Sequence, residues 1–428
     1  MASHRLVNIL SELDNRGDAC CDEDFQAIEK QGASLSVPLT VDLLHSALYA
    51  DGNPYEVWRA MREVGPVHHQ VAKTGSEFWA VVGHEAGKRV LTDWKVFTST
   101  RGTTLREDDN SAPYPGAGKM PVLTDPPRHT DLRRAVAPLF TPRAVEKLGA
   151  LAREVAGSLL ADLRERGGGD FVTDVAAKFP LAVQAEILGI PPGDIPLILD
   201  ATGRSVDEAE HGSAGHHDVM TYYLNALGTR RGDAGRDLIG MLLEARAGGL
   251  PLSDEEIVLT CDNIVVAASQ TAQHAASGGL LALLEHPAAW EALREGRVGV
   301  DSAIEELLRW TAPATHVMRT AVCDTELAGT TIRAGDALAV WIASANRDGT
   351  VFADPEELVL DRRPNPHLTL GAGMHFCLGA ALVRVLLRAL LEDLIRADTS
   401  LALANPPDWQ SNWVVNALRS LPVTVVPA

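Results

Sequence analysis

Apolar residues in the middle of the chain recur at helical spacing, and the longest such segment begins at Ser253. Ser253 and Glu256 have the spacing of a capping box. No glycine or proline interrupts the segment before Ser277, and Pro287 ends it. A helix of this extent is about 50 Å long, which is enough to cross a whole domain. The pattern therefore predicts one long central helix.

Shorter segments carry weaker patterns of the same two kinds. Helical periodicity is found in residues 125–166, 174–188, 216–229, 236–247 and 302–310, and short apolar runs typical of strands in 78–82, 338–342 and 422–426. Residues 98–124 are rich in Gly, Pro, Thr, Ser and Asp, and a loop this long is usually functional or mobile. We expect a mainly α fold with a minor β region. One domain would span residues 36–428, after a partly disordered N-terminal extension over residues 1–35.

Charge and cysteine content narrow the range of functions. The chain has 57 acidic and 38 basic residues, and its formal charge of −19 disfavours nucleic acid and anionic membranes as partners. The five cysteines form no C-x-x-C pair, so zinc and iron–sulfur spacings are missing. No apolar run near the N-terminus has the length of a signal or a membrane span. We expect a cytoplasmic protein that binds a small molecule.

The segment from Leu370 to Gly379 carries the strongest chemical signal. It reads Leu-Gly-Ala-Gly-Met-His-Phe-Cys-Leu-Gly and is followed by an apolar helical pattern. Its glycines permit tight turns close to a planar group, and Cys377 lies just before a helix N-terminus, where a thiolate is stabilised. Such a thiolate is a strong donor to haem iron. A buried structural cysteine is the alternative for Cys377 taken alone.

This segment resembles the cysteine-ligand loop of the cytochrome P-450 family, bacterial soluble class, and the resemblance extends over about residues 40–428. The family pattern is Phe-Gly-x-Gly-x-His-x-Cys-x-Gly, from which the chain departs only at Leu370. The resemblance implies a single-domain cytochrome P-450 fold with haem b between the long central helix and the cysteine-loop helix. Cys377 is then the iron ligand, and Leu370, Gly371 and Gly379 belong to the loop that contacts the cofactor.

Two further segments are similar to the family in the same order along the chain. Glu306 and Arg309 lie three residues apart, a spacing that alone indicates only a solvated surface pair. The resemblance pairs them with Arg362 in a triad that braces the cysteine loop. It also implies that the haem propionates, which need cationic or donor groups, are held by four side chains. These are His129, Arg133, Arg319 and His375.

The central helix contains the sequence Ala267-Ala268-Ser269-Gln270-Thr271, which resembles the family's oxygen-binding segment. Small residues at 267 and 268 leave room for dioxygen, and the Thr271 hydroxyl could order a water that delivers protons. The alternative is a helical threonine bonded to its own preceding carbonyl. The family usually has a carboxylate where Gln270 stands, and an amide cannot readily exchange a proton. Either water alone supplies protons, or the reaction inserts no oxygen.

The resemblance also locates a substrate pocket and an electron supply. Its predicted lining residues are Asn263, Val266, Val317, Trp413, Val414 and Asn416. No nucleotide loop is evident, so electrons are expected from a ferredoxin and its reductase, with Arg384 and Arg388 as a local basic dock.

Three functions stay open. The first is a monooxygenase that oxidises a small organic molecule in bacterial secondary metabolism. The second is an oxidative enzyme that forms C–C or C–N bonds or desaturates its substrate. The third, which the sequence favours least, is a non-catalytic haem sensor. A peroxide-using haem enzyme is not indicated by the Gln270-Thr271 pair.

Overall fold

The computed structural model describes residues 41–106, 110, 114, 116–207, 214–232 and 235–427. The predicted extension over residues 1–35 lies outside these residues, and so does part of the predicted loop over 98–124. Helices dominate the described chain, and its strands form small sheets. The mainly α prediction with a minor β region is confirmed.

The helices follow one another with short connections. They are α1 Tyr55–Val64, α2 His84–Thr92, α3 Arg128–Val136, α4 Pro142–Glu146, α5 Leu148–Glu165, α6 Lys178–Leu188, α7 Ile195–Asp207, α8 Ala214–Arg230, α9 Leu238–Glu244, α10 Asp254–Glu285, α11 Pro287–Arg294, α12 Val300–Thr311, α13 Ile342–Ala345 and α14 Ala380–Arg396. Short 3₁₀ turns and one π turn occur at Ser46–Tyr49, Pro121–Leu123, Ala137–Phe140, Val172–Ala176 (π), Pro192–Asp194 and Gly373–His375.

The strands are mostly three to six residues long. They are β1 Val67–Val71, β2 Glu77–Val81, β3 Phe97–Thr98, β4 Gly168–Asp170, β5 Arg246–Ala247, β6 Leu250–Pro251, β7 His316–Ala321, β8 Thr325–Leu327, β9 Thr330–Ile332, β10 Ala337–Trp341, β11 Thr399–Leu403, β12 Asp408–Trp409, β13 Leu418–Ser420 and β14 Pro422–Pro427. The largest sheet has the order β1-β2-β10-β7-β3, with β2 and β10 parallel and the other neighbours antiparallel. A second sheet has the order β11-β14-β4, and three pairs of strands form hairpins.

Helix α10 is the predicted central helix. Ser253 caps it: the Ser253 Oγ accepts a hydrogen bond from the Glu256 N–H, and the Glu256 carboxylate accepts one from the Ser253 N–H at 2.8 Å. The helix ends at Glu285, and Pro287 begins α11. The predicted capping box and the predicted end near His286 are both confirmed. Buried residues occur on several faces of α10, so neighbouring helices enclose it.

The predicted helical stretch over 125–166 is three helices, and prolines lie at the first of its two breaks, whereas the second falls at Lys147. Pro138 lies in a 3₁₀ turn, and Pro142 occupies the first position of α4, where its missing N–H has no intrahelical partner in any case. Helix α7 was not predicted, because Pro191 and Pro192 obscure its start.

Two apolar cores meet at the cysteine loop. The larger core is formed chiefly by α5, α6, α10, α12 and α14, and the smaller core by the five-stranded sheet with α1 and α2. Leu370 is buried in the helical core, whereas Leu368 is buried in the sheet core. Each such side chain stabilises the fold by about 1.5–3 kcal/mol when fully buried. The loop that carries Cys377 is therefore anchored on both sides. Within the described residues, no helix combines the length and the apolar character needed to cross a membrane.

Candidate active site

A cavity of about 300 Å³ lies between the central helix α10 and the cysteine loop. Most of its walls are apolar, as expected for a site that holds a small organic group. The apolar lining residues include Val136, Phe140, Ile264, Leu308, Leu370, Leu378, Leu382 and Leu386. Cys377 lies on the wall formed by the cysteine loop, and Ala267, Ala268 and Thr271 lie on the wall formed by α10. The structure thus brings the predicted ligand and the predicted oxygen-binding segment to one cavity.

The cysteine loop is held by backbone hydrogen bonds and by two left-handed glycines. The Cys377 N–H donates to the Leu370 carbonyl oxygen at 2.8 Å. Gly371 and Gly373 have φ values of 70° and 66°, which favour glycine. A Cβ at Gly373 would lie 3.0 Å from the Thr92 Cα, so the loop packs directly on the end of α2. Gly379 caps α14 and lines the cavity beside Cys377, whereas Gly371 shapes the turn without lining it.

The Cys377 thiol lies in a site of opposing influences. Burial raises its pKa, while the Gly379 N–H and the charges of Arg133 and Arg384 act in the opposite direction. The expected stabilisation by the helix start is therefore present, but burial outweighs it in the protein alone. A coordinating metal ion reverses this balance, because it deprotonates the thiol outright.

Glu306, Arg309 and Arg362 form a buried cluster beside the segment that leads into the cysteine loop, here called the bracing cluster. The Glu306 and Arg309 side chains are fully buried, and Arg362 is 6% exposed. Arg309 donates to both carboxylate oxygens of Glu306 at 2.8 Å, and the Nε of Arg362 donates to the same carboxylate at 3.1 and 3.2 Å. The structure therefore brings these three predicted residues together in one hydrogen-bonded cluster.

Backbone groups complete the bracing cluster. The remaining N–H groups of Arg309 donate to the carbonyl oxygens of Asn346, Pro355 and Glu357 at 2.9–3.0 Å. Glu306 also accepts from the Val359 N–H at 2.9 Å and from the Asn365 Nδ2 at 3.1 Å. All five guanidinium N–H donors of Arg309 are used, so the buried charges are fully hydrogen-bonded. Sequence reasoning missed Asn365, since an asparagine in a loop gives no signal of its partner.

Four basic residues lie close together and are here called the basic cluster: His129, Arg133, Arg319 and His375. His129, Arg133 and His375 line one edge of the cavity, whereas Arg319 does not line it but is close enough for its charge to lower the pKa of both histidines. The rings of His129 and His375 have centroids 4.4 Å apart, and the Arg133 Nη2 donates to the Phe376 carbonyl oxygen at 2.7 Å. Arg319 is 3% exposed. Among the described residues, its guanidinium donates one hydrogen bond, to the Met318 carbonyl oxygen at 2.7 Å.

The basic cluster is short of negative charge. Burial lowers the pKa of His129 to about 4, with the charges of His375 and Arg133 acting in the same direction, and burial lowers the pKa of Arg319 to about 10. Burial also lowers the pKa of His375. Asp125 is the carboxylate beside the cluster. Burial opposes its ionisation, but hydrogen bonds from His375, Thr98 and Ser99 prevail and lower its pKa to about 2. Four bases against one carboxylate leave room for a further anion.

The wall formed by α10 is narrow and carries one hydroxyl. The Thr271 side chain is exposed to the cavity and donates to the Ala267 carbonyl oxygen at 2.7 Å. This is the intrahelical bond of the structural alternative, yet the hydroxyl oxygen can still accept a hydrogen bond from a guest. Gln270 is 5% exposed and does not line the cavity, so it lies beside Thr271 in sequence but off the wall.

The six predicted pocket residues divide into one on the cavity wall and five away from it. Asn263 lines the cavity one helical turn before Ala267, and no hydrogen bond within the described residues engages its amide. Val266 packs against the helical core, and Val317, Trp413 and Val414 pack in or against the sheet core. The Asn416 Nδ2 donates to the Thr311 carbonyl oxygen at 2.6 Å.

Residues 414–416 of the C-terminal turn support the wall from behind. Ala314, which lines the cavity, forms a β-bridge with Val415, and the Asn416 N–H donates to the Pro313 carbonyl oxygen at 2.8 Å. The C-terminal turn therefore shapes the pocket through the backbone of residues 313 and 314. Sequence reasoning missed Pro121, Val122, Gln184 and Pro313 on the wall, because nothing local in the sequence shows which side of a turn or helix faces a cavity.

The donor set fits haem b. A planar apolar body with one dianionic edge and one open axial position needs apolar walls, a cationic edge and a soft ligand. The cavity offers these as its leucine-rich walls, the basic cluster and the Cys377 sulfur. The guanidinium of Arg319 donates only one hydrogen bond within the described residues, and an anionic group would supply the acceptors that it lacks.

Comparisons with known proteins agree with this geometry. The sequence model of one family, Cytochrome P450, matches residues 299–402, which include the bracing cluster and the cysteine loop. Cytochrome P450 NovI of Streptomyces niveus is 33% identical over 395 residues, covering 90% of this chain and 96% of that protein. Steroid C26-monooxygenase of Mycolicibacterium smegmatis is 32% identical, covering 91% of this chain and 96% of that protein.

A solved structure is similar over nearly the whole chain. P450 OxyD, which is involved in the biosynthesis of vancomycin-type antibiotics, superposes with a TM-score of 0.83 at 32% identity. The alignment covers 91% of this chain and all of that one. The similarity therefore extends beyond the segment that the family model matches. It includes both cores and the cavity between α10 and the cysteine loop.

Proposed function

This chain belongs to the cytochrome P450 family and is a haem b oxidoreductase, and we propose that it is a monooxygenase that oxidises a small organic molecule of secondary metabolism. The observation that carries the proposal is one cavity with Cys377 on one wall, Thr271 on the opposite wall, and His129, Arg133 and His375 of the basic cluster at its edge. When bound, haem supplies the activation of dioxygen. The secondary-metabolic setting rests on similarity to proteins such as OxyD.

The roles of the side chains follow from their positions. Cys377 would ligate the iron, and the basic cluster would hold the carboxylates of the cofactor through charge-assisted hydrogen bonds. Leu370 lines the cavity with Cys377 and would offer the cofactor an apolar contact there. The bracing cluster fixes the loop and takes no part in chemistry. Residues 36–428 act as one oxygenase domain.

The α10 wall handles dioxygen and protons. Ala267 and Ala268 leave space, and the Thr271 hydroxyl accepts a hydrogen bond from a water that brings a proton. Because the Gln270 amide does not readily give up a proton and lies off the wall, the proton comes through water. The same feature supports the second candidate, an oxidation that couples or desaturates the substrate without inserting oxygen.

Asn263 is the residue that orients the substrate. Apart from the Thr271 hydroxyl, the side chains that line the cavity from α10 are alanine and isoleucine, and no hydrogen bond within the described chain engages the Asn263 amide. A substrate amide or hydroxyl that reaches it leaves the rest of the molecule against apolar walls. A substrate that lacks this amide or hydroxyl should be rejected strongly, because the Asn263 amide is then left buried and unpaired.

Electrons come from a ferredoxin and its reductase. The predicted basic dock is weaker than expected, since Arg384 pairs with Glu305 at 2.6 and 2.8 Å and Arg388 pairs with Asp301. Those two arginines carry little excess charge for an acidic partner. Phe376, which is 42% exposed and precedes Cys377, offers an apolar contact close to Cys377 in sequence.

The test is a spectroscopic one. The reduced protein under carbon monoxide should show the strongly red-shifted Soret band of thiolate ligation, and Cys377→Ala should abolish it. A Cys377→Ala protein that keeps the band would overturn the assignment. The matched control is Cys323→Ala, which removes an exposed cysteine elsewhere and should leave the band unchanged. Difference spectra across a panel of metabolites then identify the substrate class.

A further inference from the structure

Gln184 is a buried amide among apolar neighbours. It is 1% exposed, it lies on α6 among buried residues such as Leu181, Val183 and Leu188, and it lines the cavity. Its Nε2 donates to the Ala268 carbonyl oxygen of α10 at 3.2 Å. Its Oε1 is fully buried and has no partner among the protein atoms of the described chain. A buried polar atom without a partner is costly, so this oxygen calls for a donor.

The orientation of the Gln184 amide is fixed by chemistry. The Ala268 carbonyl oxygen can only accept a hydrogen bond, so the amide nitrogen must face it. A reversed amide would place two oxygens against each other and leave the nitrogen without this acceptor. The unpartnered atom is therefore an acceptor, and whatever satisfies it must be a donor.

The Gln184 bond reaches the turn of α10 that presents Thr271. The Thr271 Oγ1 donates to the Ala267 carbonyl oxygen, and Gln184 donates to the next carbonyl along the helix, that of Ala268. Two successive carbonyls of one turn thus accept side-chain donors. Ala267, Ala268, Thr271 and Gln184 all line the same cavity.

Haem cannot satisfy the Gln184 Oε1. Its periphery offers C–H groups, and its carboxylates belong with the basic cluster. Water is the smallest molecule that donates two hydrogen bonds, and buried waters typically join two to four polar groups. One donor hydrogen of a water at Oε1 leaves the second for a neighbouring acceptor in the cavity.

We propose that Gln184 is a positioning residue that holds one water molecule on the cavity wall, with its Oε1 accepting from that water and its Nε2 securing the Ala268 carbonyl. The water lies beside the turn that presents Thr271 and serves as a station in proton delivery. The water thereby takes over part of the proton delivery that the Gln270 amide cannot readily provide. The inference rests on the proposed function, in which Thr271 faces dioxygen.

The direct test is a high-resolution crystal structure of the haem-loaded, substrate-free protein. We expect a water within hydrogen-bond distance of the Gln184 Oε1, and we expect its loss in Gln184→Met, which keeps the length of the side chain. A native structure with no water at Oε1 would overturn the proposal. So would a Gln184→Met structure in which the same water remains.

A double-mutant cycle tests the link to Thr271. Peroxide release by the substrate-free protein, supplied with a surrogate ferredoxin and reductase, should change by about threefold in Gln184→Met. In the double variant with Thr271→Ala the two effects should be non-additive, because both changes act on one turn and its water. Independent, multiplicative effects would contradict the proposal. Leu181→Met is the control: it is fully buried on the same helix, makes no such bond, and should leave peroxide release unchanged.

A structural side effect is separated by two further readouts. Haem content and the thermal unfolding midpoint should respond alike to Gln184→Met and Leu181→Met, whereas the ferric spin equilibrium should shift only in Gln184→Met. Equal spin shifts in both variants would contradict a positioning role. If Thr271→Ala alone leaves peroxide release unchanged, the proposed role of Thr271 fails, whereas a missing water at Oε1 counts against Gln184 alone.

Discussion

The bracing cluster and the basic cluster are both built from buried charged side chains. In the bracing cluster every guanidinium donor of Arg309 and both oxygens of Glu306 have protein partners. In the basic cluster Arg319 is as deeply buried, yet it donates one hydrogen bond, to the carbonyl oxygen of the residue before it. The hydrogen bonds of the bracing cluster are thus satisfied by the protein itself, whereas the basic cluster has more positive charge than the protein compensates.

This difference separates architecture from ligand binding. Removal of one partner from a closed buried cluster leaves stranded charges, so the folded protein itself suffers. Removal of a base from the under-compensated cluster relieves a desolvated charge, so the haem-free protein does not suffer. The loss then appears in cofactor binding. Burial alone does not distinguish these roles, but the count of satisfied donors does.

The largest expected effect is that of Glu306→Gln. The change leaves Arg309 and Arg362 buried without their carboxylate, and it should lower the free energy of unfolding by about 3–5 kcal/mol. Denaturant unfolding of the haem-loaded protein measures this. The neighbouring pair Glu305–Arg384 is half-exposed, so the control Glu305→Gln should cost about 1 kcal/mol. Similar losses in both variants would contradict the bracing role.

Arg319→Met should separate the two clusters most clearly. Haem affinity should fall about 10- to 100-fold, because a charge-assisted hydrogen bond contributes about 1.5–3 kcal/mol. The thermal midpoint of the haem-free protein should stay the same or rise, because the methionine variant no longer has the desolvation cost of a buried positive charge. Haem titration and thermal unfolding give the two numbers. A fall in both quantities would show that Arg319 is a structural residue like Arg309.

The pH dependence of the haem-free protein should show the same shortage of anions. The folded-state pKa of His129 is lowered from 6.5 to about 4, chiefly by burial. Between these values the unfolded chain binds a proton that the folded chain does not, so stability should fall as pH decreases from 6.5 to 4. Anionic propionates favour the protonated histidine, so the haem-loaded protein should lose less over this range.

His129→Gln is the variant that checks this assignment. Its haem-free form should show a flatter decline of unfolding free energy below pH 6.5, although burial also lowers the pKa of His316 to about 4 and part of the slope remains. The control is His69→Gln, at a side chain that is 45% exposed. An unchanged slope in His129→Gln would mean that other groups carry the acid sensitivity.

Local sequence signals sufficed where the chemistry is local. The capping box of α10 and the stop at Pro287 need only residues a few positions apart, and both were predicted. Glu306, Arg309 and Arg362 came from resemblance, because a separation of 53 residues between Arg309 and Arg362 says nothing about contact by itself. The saturation of that cluster by backbone carbonyls was not predictable from either source.

The substrate pocket was predicted least well, for a physical reason. Trp413 is 2% exposed, and its ring lies nearly parallel to that of His316 at 5.5 Å, so tertiary packing turns it away from the cavity. Gln184 was overlooked because a glutamine in an apolar helix reads as a surface position until its helix is packed on α10. Which face of an element meets a cavity is decided by packing between elements distant in sequence.

The smallest expected effect is that of Gln270→Glu. Both the α10 wall and the basic cluster lack a partner group. The basic cluster lacks an anion, whereas the α10 wall lacks a group that readily gives up a proton. A carboxylate at this buried position, beside Thr271 in sequence, should raise the fraction of electrons that reach product by about twofold, with the product unchanged. Gln273→Glu, a turn further along α10 and half-buried, is the control and should leave coupling as it is.

Labelled dioxygen decides what that product is. We expect one labelled atom in a non-exchangeable position in both the native protein and Gln270→Glu, because Thr271 retains a hydroxyl on the cavity wall and water can reach it without a carboxylate. An unlabelled product from both would instead assign the chain to oxidative coupling or desaturation. Label that appears only in Gln270→Glu would mean that the amide itself diverts the native reaction from oxygen insertion. Mass spectrometry of the isolated product distinguishes the three results.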